Sequence, residues 1–179
     1  MEILTTAILL LFLAGAVITD LRAHLIPNTL VLAGALIGII LAGLHPDGIG
    51  LLRALGGLAL GLAIFLPLYL LRAMGAGDVK LMAMTGAFLG YPALAEAALW
   101  VLLAGGVLAL AFALRRGVAR RMAGNLREML FSAAASVQIR ALPDLSTGPQ
   151  TAARLPYAVA IALGVAAFLL ARHLGIRLI

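Results

Sequence analysis

Long apolar runs divide this chain. Residues 3–19, 29–44, 51–71, 93–114 and 155–171 consist mainly of Leu, Ala, Ile, Val and Gly. Each approaches the roughly 20 residues that a helix needs to cross a hydrocarbon core about 30 Å thick. Within lipid no water is present to satisfy backbone N–H and C=O groups, so a crossing segment folds as a helix that pairs them internally. Composition agrees: 64% of residues are hydrophobic and 11% charged, whereas a soluble domain is nearer half apolar and a quarter charged. The sequence therefore predicts an all-α, polytopic membrane protein with about six transmembrane helices. A single membrane-embedded domain over residues 1–179 accounts for the length. The chain has no cysteine, which excludes a disulfide framework and a thiolate metal site.

The first run, 3–19, resembles a signal peptide in length. Glu2 stands where a basic start is usual, and Asp20-Leu21-Arg22 is not a small-residue cleavage site, so a retained helix is expected. Pro27 lies just ahead of the second run, where its missing N–H suits a helix start. His45-Pro46-Asp47-Gly48 has the composition of a turn. In the third run Gly56, Gly57 and Gly61 read as a packing face that lets membrane helices approach closely. Residues 81–90 form a sixth, shorter run that would reach only about 15 Å as a helix, and Tyr91-Pro92 ends it.

Charge placement argues that this short run also crosses. With six crossings and the N-terminus outside, Arg22, Arg72, Lys80, Arg115, Arg116, Arg120, Arg121, Arg127, Arg140 and Arg154 all face the cytoplasm, and only Arg53, Arg172 and Arg177 face out. That is the distribution the positive-inside rule favours. The net charge of +6 thus belongs to loops flanking a bilayer and implies no nucleic-acid partner. Residues 115–154 form the one long polar stretch. Val118, Met122, Leu126, Met129, Ala133 and Val137 recur there at helical spacing, with Arg116, Arg120 and Arg127 off the stripe. A basic amphipathic helix lying on membrane lipids is expected, followed by a linker.

Among only seven acidic residues, Asp20 and Asp78 each stand at the end of a membrane-length run. An ionisable group at membrane depth is costly and marks a functional candidate. The six-crossing arrangement puts both on the cytoplasmic face, where helix packing could bring them together for acid–base chemistry. Asp20 alone reads equally as a helix-end residue paired with Arg22. Asp78 follows Gly75-Ala76-Gly77, a glycine-rich break where freedom at positive φ or the lack of a Cβ would place the carboxylate. Lys80, the one lysine, reads as a snorkelling anchor or as a cation favouring the ionised form of Asp78. His24 would share a helix face with Asp20, but no further His, Cys or Glu cluster completes a metal site, so neither metal nor organic cofactor is expected.

Asp20 with Ile26-Pro27-Asn28, and Gly75-Ala76-Gly77-Asp78-Val79-Lys80, resemble the two signature motifs of the type IV prepilin peptidases. These are membrane aspartyl proteases of the GxGD class, similar in catalytic motif to presenilins. The tract Leu155-Pro156-Tyr157-Ala158 resembles the late Pro-aromatic motif of that family, with Ala158 where glycine is usual. Larger members carry a four-cysteine zinc region and methylate the new N-terminus. This cysteine-free chain resembles instead the short, peptidase-only branch that processes Flp-type (tight-adherence) prepilins and pseudopilins.

The resemblance implies an aspartic endopeptidase with Asp20 and Asp78 catalytic, and with Pro27, Asn28, Gly75, Gly77 and Lys80 supporting the site. It implies residence in the inner (cytoplasmic) membrane, with the active site facing the cytoplasm and a prepilin or pseudopilin helix as partner. Two other classes remain on the residues alone. One is a proton- or cation-coupled transporter component, since intramembrane carboxylates also serve ion pathways. The other is an inactive pilus-assembly protein of the same fold.

Overall fold

A computed structural model describes residues 3–44, 49–70, 74–115 and 157–176. Those residues form six helices and no strand: α1 (Ile3–Ala23), α2 (Asn28–Leu44), α3 (Leu51–Leu70), α4 (Ala76–Leu89), α5 (Ala93–Arg115) and α6 (Tyr157–His173). The expected turn at His45-Pro46-Asp47-Gly48 and the expected amphipathic segment of 115–154 fall outside the described residues, apart from Arg115 itself. The chain divides into one compact unit of Met1–Gly105 with Pro156–Ile179, and a second of Gly106–Leu155. Helix α5 runs from the first into the second, and the site described below belongs to the first.

Helices α1, α3 and α5 are long and apolar enough to cross a membrane, and α2 and α6 are shorter apolar helices of 17 residues. The bundle is apolar outside as well as inside. Leu11, Leu32, Leu52 and Leu103 are exposed, as expected of faces that meet lipid rather than water. Against this background the buried polar or charged side chains among the described residues are Asp20, Asp78 and Thr85. The Thr85 hydroxyl is satisfied within its own helix, donating to the Leu81 carbonyl at 2.9 Å. The two aspartates are therefore the buried charged groups around which the site is built.

The short run of residues 81–90 is the centre of the bundle. Helix α4 has only 14 residues, about 21 Å, yet from Asp78 to Leu89 every side chain but Lys80 is buried. It packs against α1, α2, α3 and α6. A helix apolar all round belongs inside a protein, and one sheathed by other helices need not match the bilayer thickness. Its closest neighbour is α3, which runs antiparallel to it. A Cβ on Gly57 would collide with the Gly86 carbonyl, and one on Gly86 with that of Gly57. Gly61 meets the Met82 carbonyl in the same way. The packing expected of Gly57 and Gly61 is thus present, whereas Gly56 lies off that contact.

Candidate active site

Asp20 lies within α1, which continues three residues past it to Ala23. The helix ends where His24 turns to a φ of 49° and donates its N–H to the Asp20 carbonyl at 2.8 Å. His24 is thus a helix-ending residue with an exposed side chain. Asp20 itself is only 9% exposed, and its Oδ2 accepts the backbone N–H of Ala158 at 3.3 Å. Ala158 is the second residue of α6, so this N–H is one of the donors that a helix start leaves without an internal partner. The pairing with Arg22 considered from sequence gives way to a tertiary bond.

Asp78 is the third residue of α4 and 8% exposed. Its Oδ2 accepts the N–H of Gly75, the N-cap, at 3.0 Å, which is the carboxylate half of a capping box. Of the two roles the sequence left open for Gly77, the structure favours one. Gly77 is helical and has no positive φ, so conformational freedom is not what it supplies. Space is: a Cβ at Gly77 would stand 3.2 Å from the Cβ of Ile26. Ile26 is buried in the link between α1 and α2, so this contact sets how closely the start of α4 approaches the segment following Asp20.

The two carboxylates stand at the same end of the packed helices α1 and α4, and the link that follows Asp20 meets the start of α4 where Ile26 lies against Gly77. Each is held by the N-terminal end of a helix, Asp78 by α4 and Asp20 by α6. Helix N-termini favour negative charge, so two partial positive poles converge where two carboxylates would otherwise repel. Lys80 and Asn28 close the same end of the bundle. The Lys80 Nζ donates to Asn28 Oδ1 at 3.0 Å, tying α4 to the first residue of α2. Pro27 precedes that residue, and its carbonyl accepts the Val31 N–H at 3.3 Å to start α2. Sequence reasoning missed Tyr157 and Ala158 as site residues. Tyr157 is half-buried and begins α6, directly before the N–H donor to Asp20. The signal was the Pro156-Tyr157-Ala158 tract, noticed as a motif without being connected to Asp20.

Asp20, Asp78, Asn28, Lys80, Gly75 and Gly77 thus gather at one end of the bundle. Among the described residues no group of three or more His, Cys, Asp or Glu side chains converges as a metal site would require. Two adjoining carboxylates, one end of an apolar bundle and polar backbone donors are suited to activating water against an electrophile. The profile of the type IV leader peptidase family matches residues 7–114, a span that includes both aspartates and stops short of α6. No curated protein and no solved structure matches the chain.

Proposed function

This chain belongs to the type IV leader peptidase family, and on that footing we propose that it is an aspartic endopeptidase using Asp20 and Asp78. Its substrates are Flp-type prepilins and pseudopilins, cut behind their leader peptides at the cytoplasmic face of the inner membrane. One observation carries the reading: the two buried carboxylates come from distant parts of the chain and stand at one end of helices α1 and α4, which pack together. Each keeps a backbone donor that fixes its direction.

The chemistry follows from the pair. Like charges held close do not both ionise readily, so one proton is shared between the two carboxyl groups. The ionised member takes a proton from a water molecule, whose oxygen bonds to the scissile carbonyl carbon. The protonated member gives its proton to the carbonyl oxygen as negative charge develops there. Collapse of the resulting diol breaks the C–N bond, and a proton passes to the leaving amine. No metal or organic cofactor enters these steps. The substrate's apolar helix lies against the enzyme in the bilayer, and its basic leader, ending in Gly, stays in the cytoplasm. Six crossings, with most of the basic residues inside and only Arg53, Arg172 and Arg177 outside, give the site this orientation.

The test is incubation of the purified enzyme in nanodiscs with an Flp-type prepilin, with the products identified by mass spectrometry. A single cut after the leader glycine is expected. An intact prepilin after prolonged incubation would defeat the substrate assignment.

A further inference from the structure

A groove lies at the other end of the bundle. Because α3 and α4 are antiparallel, Gly57 meets Gly86 and Gly90 near the end of α4, whereas Asp78 is in its first turn. The groove begins there, about 18 Å along α4 from Asp78. It has a volume of about 440 Å³ and runs along α3 from Arg53 to Ala63, past Gly56 and Ala59, with Tyr91 beside it. Arg53 is the charged residue among those lining it. The Tyr91 N–H donates to the Arg53 carbonyl at 2.9 Å, which holds the backbones of these two lining residues at one level.

Tyrosine at the membrane–water boundary, beside arginine, marks headgroup depth. Ten residues of helix separate Arg53 from Ala63, about 15 Å. That equals one leaflet of a core roughly 30 Å thick. Beyond Ala63 the same side of α3 presents the exposed side chains of Leu66 and Leu70, so the small-residue floor stops near mid-bilayer. An acyl chain ends there, whereas a partner transmembrane helix would continue through the other leaflet.

We propose that this groove holds one anionic phospholipid, its phosphate against the Arg53 guanidinium and one acyl chain laid along α3 as far as Ala63. Charge selects the headgroup, and the length and apolarity of the groove select the chain. The lipid would brace the α3–α4 crossing from the end opposite the aspartates.

The experiment is native mass spectrometry of the full chain released from nanodiscs of mixed phosphatidylglycerol and phosphatidylcholine. The wild type should retain one phosphatidylglycerol in preference. Arg53→Gln should reduce that preference roughly fivefold, the effect of one arginine near an anionic surface, and Arg53→Lys should keep most of it. Ala59→Leu and Ala63→Leu, both at exposed positions, should lower retention of either lipid by filling the groove. Arg172→Gln, which removes a basic residue at the end of α6, should leave retention unchanged. Equal retention by wild type and all variants would overturn the proposal, as would an equal loss from Arg172→Gln. So would a photocrosslinker at position 59 that captures a protein helix instead of lipid.

Discussion

Ala158 donates its backbone N–H to Oδ2 of Asp20 at 3.3 Å, joining residues 138 apart in the chain. The last described helix therefore starts on a side chain of the first. Asp78 receives the same treatment from the start of its own helix, through Gly75. A carboxylate that accepts a fixed backbone donor loses rotational freedom, and its free oxygen is aimed. Two such carboxylates make a reactive pair whose geometry is set by backbone.

If the Ala158 N–H aims Asp20, removing that one hydrogen should cost turnover. Ala158→Pro deletes the donor within the first turn of α6, where that N–H makes no intrahelical bond. Ala158→Gly keeps the donor. The glycine variant should retain most activity, while the proline variant should fall on the order of a hundredfold per folded enzyme. Thermal melting in detergent checks the fold. Equal activities in the two variants would remove the N–H from the account.

Gly77 gives a test of packing. A Cβ there meets Ile26 at 3.2 Å, so Gly77→Val should push α4 away from the link after Asp20. We expect cleavage rate per folded enzyme to drop far more than protein level. Ile26→Ala makes room, so the double variant Gly77→Val with Ile26→Ala should recover part of the lost rate. A double variant no better than Gly77→Val alone would show that the Ile26 contact is not the cause.

The Lys80–Asn28 bond predicts energetic coupling between α4 and α2. Lys80→Met and Asn28→Ala should each lower stability modestly, and the double variant should lose less than their sum, by about 1 kcal/mol. Chemical denaturation in detergent measures it. Strict additivity would leave Lys80 as the snorkelling anchor that its sequence position also suggested.

Much of this was legible in the residues. Apolar runs marked all six helices to within a few residues, because a long apolar stretch without turn residues has little choice but helix. Asp20 and Asp78 stood out because the chain has only seven acidic residues and a carboxylate at membrane depth is costly. For Gly77 the residues left two roles open, freedom at positive φ or the lack of a Cβ, and sequence alone does not choose between them. Its partner Ile26 is distant in sequence, and only the packed structure shows that the absent Cβ is what matters. The role of Ala158 was hidden for a different reason: its contribution is a backbone N–H, which every non-proline residue carries. The central place of α4 was also invisible, because a short apolar run reads the same whether lipid or protein surrounds it.

The proposed orientation makes the two ends of the bundle distinguishable. Leu25 follows Asp20 at the aspartate end, and Leu174 lies beyond α6 at the far end; both are exposed. In a chain without native cysteine, single cysteines at these positions report their side cleanly. An impermeant thiol reagent applied to intact cells should label Leu174→Cys and spare Leu25→Cys until the membrane is permeabilised. The reverse pattern would place the aspartates outside.

The most direct measurement is the cleavage rate of purified Asp20→Asn and Asp78→Asn enzymes on an Flp-type prepilin. Each amide keeps the shape of the side chain and an oxygen for the backbone donor, and it removes the capacity to exchange a proton. Both variants should melt like the wild type in detergent and lose cleavage by roughly a thousandfold or more. A wild-type rate in either variant would contradict the two-aspartate mechanism.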